Sequence, residues 1–390
     1  MHIGDFWGGI AAVALILPQA MAFGVALMSV AGFSASTGAI TGLLGTAAVC
    51  LMSGLIGGTR GLISAPTGPM LVIQVGALAA LYKYGLAGGE LITAMAALLL
   101  VMGLMQFLIG LSGGGRLIKF LPYPVVAGFI TGSGVLMIMS QVGPLSGSVD
   151  SIIWQQWYWL PIATAAVTYL SMSATPRFFP RIPGTVSGLV IGTVFFQLVA
   201  LFVPEAVPAK WVIGSLPNPA NLSFDLDVST LAGLPWAIII PSALALAVLA
   251  SIDTLLTSVV ADVETRDRHI ARKELIGQGL GQMLAGLTGG MAGAGTTGAT
   301  LVAVRSGGRR WAAVIAALTI VLLILVGGPV GAILPVSVLA GVILHVAISM
   351  LDRDIIIWFR ERAAIMDGVI AVLVTLVTIV YDLMIAVGVG

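Results

Sequence analysis

The chain has 390 residues, of which 59% are hydrophobic and only 8% charged, with a mean hydropathy of +1.11. A soluble domain carries about 25% charged residues, so this chain has too little polar surface to face water, and lipid is its expected solvent. A net charge of +1 excludes a global basic field for nucleic acid, and a single cysteine excludes an internal disulfide.

The N-terminus carries His2 and Asp5 in place of a basic leader, and its apolar run continues past Met28. It therefore reads as a first span and not as a cleavable signal. Crossing the hydrocarbon core takes about 20 apolar residues. Runs between charges and Pro/Gly clusters predict fourteen segments, with limits near 8–30, 34–57, 64–81, 91–111, 123–142, 155–174, 184–203, 234–261, 270–288, 295–304, 310–327, 331–350, 363–379 and 381–390. The tenth and the last two are too short to cross alone, and a broken helix survives in lipid only where protein or a watery cavity satisfies its backbone. Cys50 falls in an apolar run and reads as a small buried hydrophobe.

Loop charges test the count. With the N-terminus cytoplasmic, the inside loops hold Arg60, Arg116, Lys119, Arg177, Arg181, Arg266, Arg268, Arg272, Lys273, Arg305, Arg309, Arg310, Arg353, Arg360 and Arg362. Only Lys83 and Lys210 fall outside, so 15 of the 17 basic residues lie on one side. The outside loops carry Glu90, Asp150, Glu205, Asp225 and Asp227. The longest of them divides the chain into a first half (1–205), an extracytoplasmic connector (206–230) and a second half (231–390).

The halves echo each other. LPYPVVAG (121–128) opens segment five and LPVSVLAG (334–341) opens segment twelve; LIGGTRGLISAPTGPM (55–70) is answered by LTGGMAGAGTTGAT (287–300). Seven spans per half is an odd number, so the second repeat enters from the opposite side and the repeats are inverted, the architecture of secondary transporters. The expected fold is an all-α polytopic membrane protein in a 7+7 inverted repeat.

The paired breaks are the expected site. In the first, Pro66, Gly68 and Pro69 flank a helix start that Ser64 or Thr67 can cap. In the second, Gly293 and Gly295 permit bends, Thr296 and Thr297 can cap, and Gly298 and Thr300 follow. Two helix starts meeting at mid-membrane present free N–H groups and partial positive charge to an anion; close packing through Gly and Thr is the bland alternative. Asp253 is the one acid well inside a span. It must face a cavity, a cation or a partner, and a proton or a bound cation would neutralise it. Thr257, one turn on, shares its face and can add an oxygen.

Gln19, after Pro18, can donate to an anion or tie helices together, and Phe23 can wall a pocket. His345 lies far in sequence from the breaks. Asp367 and Asp382 read as helix-end or dimer contacts, and Asp262–Glu274 as a solvated loop. No phosphate-binding loop indicates ATP-driven pumping, His2, His269 and His345 are too scattered for a metal site, and neither an enzyme activity nor a cofactor is expected.

LPQAMAFG, APTGPM, LPYPVVAGFITGSGVLMIMSQV and SIDTLLTSVVADVETRDRH together resemble the sulfate permease family, also called solute carrier family 26, in order and along essentially the whole chain. The resemblance implies the fold of the bacterial uracil transporter, with a core domain (spans 1–4 and 8–11) moving against a gate domain (5–7 and 12–14). It implies an anion near Thr67, Gly68, Gly295, Thr296, Thr297 and Gly298, with Gln19 and Phe23. It also implies Na⁺, where sodium is the coupling ion, at Asp253, Thr257, Gly295 and Thr297. Eukaryotic members often have an Arg where Ala299 stands here, and its absence favours a co-bound cation. A homodimer in the bacterial cytoplasmic membrane is implied, as is a C-terminal cytoplasmic domain similar to anti-sigma-factor antagonists, which the sequence ending at Gly390 lacks. The leading expectation is cation-coupled symport of sulfate, bicarbonate or a small dicarboxylate, with H⁺ placed ahead of Na⁺. An uncoupled channel or exchanger is the alternative, and a nucleobase permease is another, although residues 287–304 contain no acid to hold a base.

Overall fold

A computed structural model describes residues 2–113, 123–142, 145, 159–179, 182–202, 211–216, 228–352, 354–359 and 365–380. Within them the chain forms α1 (Ile3–Ser29), α2 (Ala35–Ile56), β1 (Ser64–Ala65), α3 (Gly68–Tyr84), α4 (Gly88–Ser112), α5 (Tyr123–Ser140), α6 (Trp159–Phe178) and α7 (Gly184–Phe202). The second half gives α8 (Trp236–Thr265), α9 (Ala271–Leu287), β2 (Ala294–Gly295), α10 (Thr297–Arg305), α11 (Ala312–Val326), α12 (Val336–Ser349) and α13 (Ile365–Val380). These match the first thirteen expected segments. The fourteenth, with Asp382, lies outside the described residues, as do most of the connector, Asp150, Glu205 and the basic residues 116, 119, 181, 210, 353, 360 and 362.

Among the described residues, six helices are long and apolar enough to cross a membrane by length and composition, and α11 is a shorter apolar helix. The outer faces of these helices suit lipid. Leu104, Leu108 and Leu111 on α4, Ile191, Val194 and Leu198 on α7, and Leu318, Leu322 and Leu325 on α11 are exposed at three- and four-residue spacing, one stripe per helix. Inside, small residues let backbones touch: a Cβ on Gly24 of α1 would lie 2.0 Å from the Gly38 carbonyl of α2, and one on Gly103 of α4 2.5 Å from the Gly279 carbonyl of α9. Such contacts replace the hydrophobic drive that lipid removes.

Two packing groups result. Helices α1–α4 pack with α8–α11, and α5–α7 pack with α12 and α13. The groups meet where α1 touches α7 and α12 and where α3 touches α5. This is the core-and-gate division of a seven-plus-seven inverted repeat. Its axis is visible at the breaks: β1 and β2, one from each half, pair antiparallel, Ser64 with Gly295 and Ala65 with Ala294. Each strand leads directly into a half-helix. Nine residues give α10 a length of about 14 Å, half the hydrocarbon thickness.

Three expectations are corrected. Ser64 caps nothing: it lies in β1, and its hydroxyl accepts from Gln278 Nε2 at 2.6 Å. Segment twelve is divided, a short helix over 328–333 preceding Pro335 and α12. The polar cluster 262–274 is not uniformly solvated. Asp262 pairs with His269 at 2.7 Å and Asp267 with Arg60 at 2.7 Å near the surface, but Glu274 is buried, its Oε2 accepting the Gly58 and Thr59 N–H groups at 2.9 Å each. A carboxylate can be buried where backbone donors replace water.

Candidate substrate and cation site

The half-helices α3 and α10 begin beside each other because β1 and β2 pair immediately before them. The first intrahelical bonds are Leu71 N–H to Thr67 O (2.9 Å) and Thr300 N–H to Thr296 O (3.0 Å). The N–H groups of 68, 70 and 297–299 therefore precede the helical ladders, and Pro69 contributes none. Both starts open on a cavity of about 510 Å³.

The core side of that cavity is formed by Leu15, Ile16 and Gln19 of α1, residues 67–69, Asp253, Leu256 and Thr257 of α8, and residues 295–299. The gate side is Ile130 of α5 with Val346, Ser349 and Met350. Among the described residues lining it there is no lysine or arginine, and Asp253 is the single formal charge. Ala299 is fully buried at the start of α10.

Two sets of bonds lie at the cavity. Thr67 Oγ1 donates to Asp253 Oδ2 at 3.1 Å. Thr257 Oγ1 donates to the Gly295 carbonyl at 2.9 Å and lies 3.1 Å from Thr297 Oγ1. The Gly295 N–H in turn donates to Thr254 Oγ1 at 3.0 Å. A carboxylate residue and the hydroxyl residues Thr67, Thr257 and Thr297 thus line one cavity beside Gly295, oxygen chemistry of the kind a hard cation takes. Thr67 and Thr296 occupy the N-cap positions, but neither hydroxyl caps its own helix. Thr67 is turned to Asp253, and Thr296 Oγ1 donates to the Ile63 carbonyl at 3.0 Å. The cap positions therefore serve the cavity and the strand pair, leaving the helix N–H groups open.

The structure brings Gln19, Thr67, Gly68, Asp253, Thr257, Gly295, Thr296, Thr297 and Gly298 onto one cavity. Gln19 lines it while tying helices, its Nε2 donating to the Pro66 carbonyl at 3.3 Å. Phe23 is not among them: it is fully buried one turn deeper in the packed core of α1. His345 is also absent from the lining; its Nδ1 lies 3.3 Å from Ser173 Oγ of α6, inside the gate group. Sequence reading missed Thr254 and the buried amides Gln74, Gln278 and Gln282. Their signal is an uncharged amide or hydroxyl within an apolar span, which hydropathy hides.

A two-group helical fold with paired interrupted helices around a central cavity defines a membrane transporter. A profile of the sulfate permease family matches residues 3–374, and the chain belongs to that family. It is 34% identical over 413 residues to the bicarbonate transporter BicA of a Picosynechococcus species, an alignment covering 99% of this chain and 68% of the relative. It is 28% identical over 405 residues to the putative sulfate transporter YvdB of Bacillus subtilis, covering 99% and 71%. Among solved structures, the transmembrane domain of a cyanobacterial BicA superposes with a TM-score of 0.83 at 30% identity, over 100% of this chain and 99% of that one. SLC26A9 superposes at 0.77 with 17% identity, over 100% and 64%, a likeness of fold alone.

Proposed function

We propose that the protein is a secondary active transporter that carries a small anion together with a cation, by movement of the core helices against the gate. The carrying observation is the charge count of the cavity among the described residues: one carboxylate, Asp253, and no basic side chain. An anion entering beside an uncompensated carboxylate would meet repulsion in a low dielectric. A cation held by Asp253, Thr257, Gly295 and Thr297 removes it, and the N–H groups opening α3 and α10 then hold the anion. Anion and cation binding each favour the other, which is the coupling.

We take a monovalent oxyanion as the substrate, in line with the bicarbonate transporters among its relatives; with the cation offsetting Asp253, a monoanion leaves one net negative charge for the helix starts to hold and a dianion leaves two. The coupling ion is Na⁺ or H⁺. The oxygen cluster suits Na⁺, and the lone carboxylate suits a proton. With the N-terminus cytoplasmic, as the loop charges favour, Met350 ends α12 on the cytoplasmic side. The protein would work in the cytoplasmic membrane, as a homodimer by analogy with its family.

The test is uptake of labelled bicarbonate and sulfate into proteoliposomes under separately imposed Na⁺ and pH gradients. Accumulation driven by one of the two gradients supports the reading. Uptake that follows the anion's own gradient alone favours a channel or exchanger.

A further inference from the structure

Residues 292–295 lead from α9 into the second half-helix, and side chains from α3 and from α9 itself hold the peptide groups of 292 and 293. Gln74, on the second turn of α3, is fully buried. Its Oε1 accepts the Ala292 N–H at 2.8 Å, and its Nε2 donates to the Ala292 carbonyl at 3.4 Å and to the Met70 carbonyl at 3.1 Å. Gln282, near the end of α9, is also fully buried. Its Oε1 accepts the Gly293 N–H at 3.2 Å, and its Nε2 donates to the Gly293 carbonyl. Each amide therefore bonds one residue's N–H and C=O together, as a neighbouring strand would. Residues 294 and 295 are then held by β1.

This arrangement is specific. An unpaired amide in an apolar interior costs free energy, and a leucine or methionine would fill either position. Gln106 of α4 shows the contrast: it is fully buried as well, yet neither its oxygen nor its nitrogen has a partner among the described residues. The two clamping glutamines act on the residues just before β2, whose Gly295 lines the cavity and accepts from Thr257 through its carbonyl. Rotation of the 292 or 293 peptide plane would carry through the extended chain to that carbonyl and to the start of α10. Gln74 also belongs to α3, so it ties the first half-helix directly to the second break.

We propose that Gln74 and Gln282 are positioning residues: they set the peptide planes of the second break, and through them the affinity of the cavity for its ions. The functional half of this rests on the cavity being the transport site. The test compares Gln74→Met, Gln282→Met and Gln74→Glu, which keeps an acceptor for Ala292, with Gln106→Met as a buried-amide control. Hydrogen–deuterium exchange over residues 290–297 reports the clamp, and proteoliposome uptake reports affinity.

Gln74→Met is expected to raise amide exchange at 292, and Gln282→Met at 293, about tenfold, the equivalent of one lost hydrogen bond. The same variants should raise half-saturating anion and cation concentrations roughly five- to tenfold while leaving Vmax within about threefold. Gln74→Glu should shift both readouts less than Gln74→Met, and Gln106→Met should shift neither. Unchanged exchange in the clamp variants overturns the proposal, as does a loss confined to Vmax or an equal shift in the control. Absence of any uptake by the wild type would instead sink the transport reading, and the exchange data would still decide whether the clamp sets the break.

Discussion

Asp253→Asn separates coupling from folding. Asparagine has the same shape and keeps a carbonyl oxygen for Thr67 Oγ1, which donates to Asp253 at 3.1 Å. What it removes is the one formal charge among the described residues lining the cavity. At an effective dielectric of about 20, a carboxylate and a monovalent cation in contact at ~3 Å attract by roughly 5 kcal/mol. The neutral amide oxygen and reduced desolvation return part of that, leaving a net loss of about 3 kcal/mol, within the range for breaking a buried charge pair. The half-saturating cation concentration should therefore rise by about two orders of magnitude. In liposomes with an imposed Na⁺ or pH gradient, the variant should lose gradient-driven accumulation while eluting as a folded protein of normal size. Wild-type accumulation by Asp253→Asn under the same gradient would refute the assignment of the coupling cation to this carboxylate.

Other residues yield further expectations. Thr257→Val preserves volume but breaks the bond to the Gly295 carbonyl and the contact with Thr297. A cost of about 1–1.5 kcal/mol should raise the half-saturating cation concentration roughly tenfold, read by uptake against cation concentration. Gly68→Ala would place a Cβ 2.4 Å from Met350 Sδ and 2.9 Å from Met137 Sδ. Because thioether side chains are flexible, the expected result is a folded protein with reduced Vmax, restored in part by Met350→Ala. Glu274→Ala strands the Gly58 and Thr59 N–H groups in the interior. At about 1–3 kcal/mol for each unsatisfied group, thermal unfolding in detergent should fall clearly, whereas Glu274→Gln, which keeps an acceptor, should stay closer to wild type.

Much of this architecture is legible in the sequence because lipid imposes coarse constraints. Span limits follow from the scarcity of charge, and the side of each loop follows from where Arg and Lys collect. The breaks at 64–69 and 293–298 stand out because Gly, Pro and Thr interrupt apolar runs in both halves. Asp253 stands out because a buried carboxylate is rare. What stayed hidden depends on partners distant in the chain. Glu274 sits among Arg272, Lys273 and other solvated charges and looks like one of them, yet Gly58 and Thr59 draw it inside. Gln74 and Gln282 read as neutral positions in apolar helices, and their value appears only when residues 292 and 293 fold between them. Phe23 looks like a pocket wall by its spacing from Gln19, but the packing of α1 turns it fully into the core. Thr67 has the sequence of a helix cap, but Asp253 lies within reach of its hydroxyl and takes it instead.

The account stands most directly on whether anion movement is tied to a cation. The deciding measurement is the internal concentration of labelled bicarbonate reached by wild-type proteoliposomes with no anion gradient and an inward Na⁺ or H⁺ gradient, the membrane potential being clamped. The account predicts transient accumulation above the external concentration under one of these gradients, abolished when that gradient is collapsed. Equal internal and external anion under both gradients, with anion flux still present, would contradict it.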